Sequence, residues 1–211
     1  MMEVRVSPTR MQLLRLKKRL AMAERGHKLL KDKRDELMKR FLDLIKKEQA
    51  LRGRVEAGLG RALPAFLQAR AAMSGEALEE AFMAPKVSCG VDVSTTTIMN
   101  VRVPEFTWRG EKASDIYPYG FHGTSASLDD AVAGLAELLP MMAELAEVEK
   151  SIELLADEIE KTRRRVNALE YVLIPNLRST ARYITMKLDE MERGNLTRLM
   201  KVKDIVRAKQ A

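Results

Sequence analysis

From Leu145 to Ile205 apolar side chains recur at alternating three- and four-residue spacing, and this regularity limits the possible folds more than any other feature of the chain. Leu145, Val148, Ile152, Leu155, Ile159, Val166, Leu169 and Leu173 fall on one narrow helical stripe, interrupted only by Thr162. Around Pro175 the stripe resumes one residue out of step, through Ile174, Leu177, Ala181, Ile184, Leu188 and Met191, then Val202 and Ile205. Proline removes a backbone donor, so a bend or phase shift is expected at that point. A helix of this length, about 90 Å at roughly 1.5 Å per residue, cannot bury so narrow a stripe against itself. It requires a partner of matching length.

The other end of the chain supplies one. Leu13, Leu16, Leu20, Ala23, His27, Leu30, Arg34, Leu37, Phe41, Leu44, Glu48, Leu51 and Val55 repeat the same spacing, and ten of these thirteen positions are apolar. Sustained over about six heptads, the pattern is that of a coiled coil rather than a generic amphipathic helix. Its three polar interruptions, His27, Arg34 and Glu48, admit two readings: polar seam groups that fix register and pairing, or contacts with another subunit. Ser7-Pro8-Thr9 reads as the helix start, with Ser a good cap and Pro tolerated in the first turn. Gly53, Gly58, Gly60 and Pro64 are expected to weaken the helix, and Ser74-Gly75 to break it.

Between these arms the period changes. Val87, Cys89, Val91, Val93, Thr95, Thr97, Met99, Val101 and Val103 occupy every odd position in a stretch rich in β-branched residues. Such a run exceeds ordinary strand length, so a hairpin is expected, with a turn at Ser94 to Thr97 or a second strand from about Ile98. Half of the ten aromatic residues lie between Phe106 and Phe121, in a stretch punctuated by Gly and Pro that should pack onto the hairpin or a neighbouring protein. Helical patterning returns at Ser127 or Asp129, with a kink expected at Pro140. The predicted fold is therefore mainly α: a long antiparallel two-helix coiled coil with a small β-hairpin insertion. Its parts are an N-terminal arm (1–84), an insertion (85–126) and a C-terminal arm (127–211) that pairs with the first. The seam is expected to include Leu16, Leu20, Leu30, Leu37, Leu44, Ile159, Val166, Leu169, Ile184 and Leu188, and the insertion to be carried by Val87, Val91, Val93, Val101 and Val103. The insertion should be removable without loss of the paired arms.

Charge is distributed unevenly beneath the net +7. Residues 1–60 carry 17 basic and 8 acidic side chains, residues 161–211 carry 13 and 5, and the middle carries 7 and 17. Antiparallel pairing would gather both basic segments at one end. Arg163-Arg164-Arg165 spreads over about 200° of a helix, without aromatic stacking platforms, so nucleic acid is not an expected partner. Catalytic constellations are also missing: Gly110-Glu111-Lys112-Ala113-Ser114 lacks the upstream glycine of a phosphate-binding loop, and His27 and His122 sit in no nucleophile or metal motif. No cofactor or metal is expected, and the chain is read as a non-enzyme. The single Cys89 excludes an intrachain disulfide, no secretory leader is apparent, and no apolar run reaches bilayer length. A cytoplasmic location without direct membrane insertion follows as the expectation.

Several motifs in order carry a family resemblance. Val6-Ser-Pro-Thr-Arg-Met11, Arg25-Gly-His-Lys-Leu-Leu-Lys-Asp-Lys-Arg-Asp-Glu-Leu37, Ile98-Met-Asn-Val-Arg-Val-Pro104, Lys161-Thr-Arg-Arg-Arg-Val-Asn-Ala-Leu-Glu-Tyr171, Ile174-Pro-Asn-Leu177 and Thr197-Arg-Leu-Met-Lys-Val-Lys203 resemble the D subunits of V/A-type rotary ATPases and ATP synthases. The resemblance implies a central-stalk rotor shaft, peripheral to the membrane as part of the complex. It would transmit torque between the catalytic A/B hexamer and the ion-carrying membrane ring. It also implies three kinds of partner: the catalytic A and B subunits, the small F subunit of the stalk, and the funnel-shaped subunit above the ring. Contacts with the hexamer would then be made by Arg10, Arg15, Lys17, Lys18, Arg198, Lys201 and Lys203. A coiled-coil adaptor unrelated to rotary motors is the alternative.

Overall fold

The computed structural model describes residues 7–110, 116–120 and 122–210, with the side chains of 209 and 210 left aside. In chain order the elements are helix α1 (Arg10–Ala72), helix α2 (Gly75–Phe82), strands β1 (Cys89–Ile98) and β2 (Val101–Gly110), helix α3 (Ala126–Asn167), a π-helix (Ala168–Leu173) and helix α4 (Ile174–Gln210). The residues fall into two compact units. The first combines 1–35 with 160–211, and the second is the continuous stretch 36–159.

Thr9 begins α1: its hydroxyl accepts from the Gln12 amide at 3.3 Å, so the cap lies two residues after Ser7, with Pro8 outside the helix. In the first unit the N-terminal part of α1 lies antiparallel to the C-terminal arm. Arg10 pairs with Glu192, Glu24 with Arg178 at 2.6 Å and His27 with Glu170 at 3.3 Å, positions falling on one arm as they rise on the other. Beneath these surface pairs Ala23, Ile174 and Leu177 are buried together, with Leu16 and Leu20 packed against them. Val166 and Ile184 are buried on the same arm.

The apolar phase shift takes a defined form. Val166 is buried and Leu169 half-buried, but Leu173 is 37% exposed and Ile174 is buried in its place. The step from Leu169 to Ile174 spans five residues, and the Ile174 N–H donates to the Leu169 carbonyl, as a π-helix requires. Past Leu188, which is half-buried, the seam ends; Met191, Val202 and Ile205 are exposed.

In the second unit α1 continues unbroken to Ala72 through Gly53, Gly58, Gly60 and Pro64, the residues expected to weaken it. At Gly58 packing explains why: the residue is buried, and a Cβ there would collide with Leu138 of α3. Tertiary contact outweighs low helix propensity at that position, whereas nothing lies within 4 Å of a Cβ at Gly53 or Gly60. Helix α3 likewise runs through Pro140. It starts at Ala126, capped by Ser125, which accepts from the Ser127 amide at 3.3 Å and lies upstream of both expected caps, Ser127 and Asp129.

Strands β1 and β2 pair antiparallel across a two-residue turn at Met99-Asn100, both with positive φ (48° and 69°). Paired primed-type geometry of this kind matches strand twist and closes a tight hairpin. The turn therefore lies beyond Ser94–Thr97, and Val87 lies outside both strands. Val101 and Val103 are buried in one cluster with Leu37, Leu155 and Ile159, flanked by Phe41, Leu44, Ile98 and Met99. The turn end of the hairpin is thus part of the helical core rather than a removable appendage. The Phe106 amide also donates to Glu147 Oε2 at 2.9 Å, tying the outer edge of β2 to α3.

Of the aromatic stretch, Phe106 and Trp108 lie in β2 itself, whereas Tyr119 packs onto helices. Tyr119 joins Phe66, Ala69, Met73, Leu78, Ala81, Leu128 and Val132, and its hydroxyl donates to Asp129 at 2.8 Å. Burial first, and then that hydrogen bond, raise the phenol above the usual tyrosine range. Phe121, residues 111–115 of the glycine-containing loop and Val6 of the first family motif lie outside the described residues.

Two stability outcomes follow. Thr162 has 0% exposure and its hydroxyl has no hydrogen-bond partner among the described residues, so Thr162→Val should raise stability by about 1 kcal/mol; an unchanged or lowered denaturation midpoint would show that the hydroxyl is satisfied. Deleting Val87 to Val103 uncovers Leu37, Leu155 and Ile159 and should lower the thermal midpoint measured by circular dichroism, whereas Leu37→Ala alone should cost about 2 to 5 kcal/mol.

Candidate interaction surfaces

The two histidines, the side chains best suited to proton transfer or metal binding near neutral pH, lie in different units. His27 is half-buried on α1 beside Glu170 of the π-helix, and His122 is exposed before α3. Cys89 is exposed at the start of β1. Among the described residues no group of three or more His, Cys, Asp or Glu side chains is placed to hold a metal, and no helix is long and apolar enough to cross a membrane.

The polar groups inside the seam find partners within their own unit. His27 meets Glu170, Arg34 pairs with Asp35 at 2.6 Å, and Glu48, with its side chain 14% exposed, pairs with Arg52 at 2.9 Å. Each is half-buried, its polar end turned toward its partner. Leu16, Leu20, Leu30, Leu44, Leu169 and Leu188 are also half-buried, while Leu37, Ile159, Val166 and Ile184 are buried.

The seven basic residues expected to touch a partner all belong to the first unit. Arg10, Arg15, Lys17 and Lys18 occupy the opening turns of α1, and Arg198, Lys201 and Lys203 the closing turns of α4. All seven are exposed. Arg10 is paired with Glu192, which places the first turn of α1 beside α4 well before that helix ends. From Asp189 through Ala208 every side chain of α4 is exposed, including Met191, Leu196, Leu199, Met200, Val202, Ile205 and Val206. Basic and apolar groups therefore share one helical segment that buries nothing within the described chain. Periodicity does not single out Leu196, Leu199 and Met200, since they lie past the point where the seam keeps its phase.

A second surface lies on the hairpin. Strand pairing places residues opposite one another on the same face, and Val91 is opposite Trp108, Val93 opposite Phe106, Thr96 opposite Val103 and Ile98 opposite Val101. The odd-numbered valines are thereby divided. Val101 and Val103 face the helical core, and Val91 and Val93 lie on the outer face, exposed beside the half-buried Phe106 and Trp108. Alternation alone could not reveal this, because a two-residue turn exchanges odd for even positions between the strands.

Comparison with known proteins gives the arrangement its family. Residues 12–204 match the family model that describes the D subunit of ATP synthase. The V-type ATP synthase D subunit of Acetivibrio thermocellus is 63% identical over 96% of this chain and 92% of its own length. That of Clostridium novyi is 57% identical over 100% of this chain and 99% of its own, and that of Thermoanaerobacter sp. is 56% identical over 96% and 97%. With the match running from the first turns of α1 into the exposed end of α4, the chain belongs to the D-subunit family of ATP synthases.

Proposed function

We propose that this chain is the central rotor shaft of a V/A-type ATPase or ATP synthase, a non-catalytic subunit that transmits torque between the catalytic A/B hexamer and the membrane ion-carrying ring. The observation that carries the reading is the antiparallel pairing of N- and C-terminal arms along an apolar seam in a member of the D-subunit family. Torque transmission needs a body in which many interdigitated side chains must move together before the arms can slip, and knobs packed into holes supply that resistance. It does not need a reactive group.

The exposed end of α4 together with the opening of α1 is the segment that would enter the hexamer. Its basic residues are solvated, and solvated charges make weak, exchangeable contacts that do not trap one rotational angle. The apolar groups Leu196, Leu199 and Val202 would meet the surrounding collar as a bearing. The second unit, with its hairpin and the acidic middle of the chain, would face the small F subunit of the stalk and the funnel-shaped subunit. The protein would thus be held at the cytoplasmic face of the membrane through its partners.

Reversing Arg198, Lys201 and Lys203 to Glu should weaken assembly with the A/B hexamer roughly tenfold at low salt and flatten its dependence on ionic strength. The check is co-purification of the reconstituted complex across a salt series. Assembly identical to the parent at every ionic strength would remove these residues from the interface. Failure of the parent chain to assemble with the hexamer would remove the shaft reading itself.

A further inference from the structure

We propose that the π-helix Ala168–Leu173 is a compliant joint in the C-terminal arm, created by one residue more than the apolar seam needs. If α-helix continued past Leu169, the stripe would fall next on Leu173, Asn176, Thr180, Tyr183 and Lys187, which are mostly polar. The residues actually buried are Ile174, Leu177 and Ile184. Only an extra residue between Leu169 and Ile174 seats that second set against α1, and the hydrogen bond from Ile174 N–H to the Leu169 carbonyl is the backbone record of it.

Pro175 is not the cause. Pro64 lies inside α1 and Pro140 inside α3, and both helices keep α geometry around them. What distinguishes the third proline is the apolar pattern on either side of it. The extra residue bulges outward: Tyr171 is 72% exposed, Val172 57%, and none of the six residues from Ala168 to Leu173 is buried.

Mechanical softness follows from two local facts. The π turn interrupts the α ladder with wider rings than the turns on either side of it. Tyr171 and Val172 are exposed and Leu169 is only half-buried, while Val166 on one side and Ile174 with Leu177 on the other are buried in the seam. Bending or twisting of the arm therefore concentrates between two fixed points, restrained across the gap by Glu170, which reaches His27 of α1 at 3.3 Å.

Deleting Val172 tests the joint, because it removes the surplus residue while restoring a continuous α-helical seam. Its thermal midpoint should equal or exceed that of the parent, and amide hydrogen exchange at the retained residues of 168–173 should slow by about tenfold or more. In the parent, these amides should exchange faster than those at Val166 and Leu177. Pro175→Ala should leave the fast exchange in place. Deleting Arg182 instead, where no π turn can absorb the loss, should lower the midpoint by about 10 °C or more by throwing Ile184 and Leu188 off the seam. The joint is ruled out if parent amides at 168–173 exchange as slowly as their flanks. It is equally ruled out if Pro175→Ala removes the difference, or if loss of Val172 is as damaging as loss of Arg182.

Discussion

The seam between the first and last parts of the chain is the interaction on which the rest depends. Neither arm could persist alone at this length with a bare apolar stripe, and the outer faces offer little compensation. Their ion pairs, such as Lys39 with Glu36 at 3.7 Å or Lys150 with Glu153 at 2.7 Å, are exposed and of the kind that contributes at most about 1 kcal/mol each. Burial of Leu37, Leu51, Leu155, Val166 and Ile184, each at 2% exposure or less, contributes on a larger scale, about 1.5 to 3 kcal/mol per side chain. In the second unit Gly58 lets α1 come close to Leu138 of α3, which makes a poor helix former into a close-packing residue. The same pairing that stabilises the arms also fixes their register.

Register explains the hairpin as well. A two-stranded sheet is marginal in water, and this one depends on docking its turn end, through Val101 and Val103, into the cluster around Leu37 and Leu155. Met99 and Asn100 both accept left-handed backbone to close the turn, a conformation more costly for methionine than for asparagine. Burial of the residues beside the turn offsets that cost. On the opposite face the sheet has no such cover, leaving Val91 and Val93 exposed.

The helical architecture was legible from sequence because heptad spacing is a long, redundant signal that survives three polar interruptions. Even the one-residue phase error around Pro175 could be read, although its form could not. A proline suggests a kink, and only coordinates show that Pro64, Pro140 and Pro175 have different consequences depending on the packing around them. Continuity through Gly58 was illegible for the same reason: local propensity favoured a break, and the contact that reverses it comes from Leu138, eighty residues away in the chain. The hairpin is visible in its period of two, but its two faces cannot be separated, because the turn position, on which face parity depends, leaves no mark in an uninterrupted alternation. Of the interaction surfaces, the basic residues could be listed from composition, whereas the point where α4 outruns its seam required knowing that Arg10 meets Glu192.

That last point bears on what the end of α4 is for. A helix segment that buries no side chain is held only by continuing a helix already nucleated, so its own contribution to stability is small. Carrying Leu196, Leu199, Met200, Val202, Ile205 and Val206 into water brings no gain among the described residues, and the seam upstream is complete without them. Arg198, Lys201, Lys203 and Arg207 keep the segment soluble while those apolar groups stay available. Such a combination suits an end that is covered by something else, yet must not adhere to it in one orientation. Charged groups with hydrated contacts permit rotation against a collar, and scattered apolar groups permit close approach without a single deep pocket. A packed seam and a solvated tip answer the two requirements of the proposed shaft: to carry torque along the paired arms, and to slip against what surrounds it.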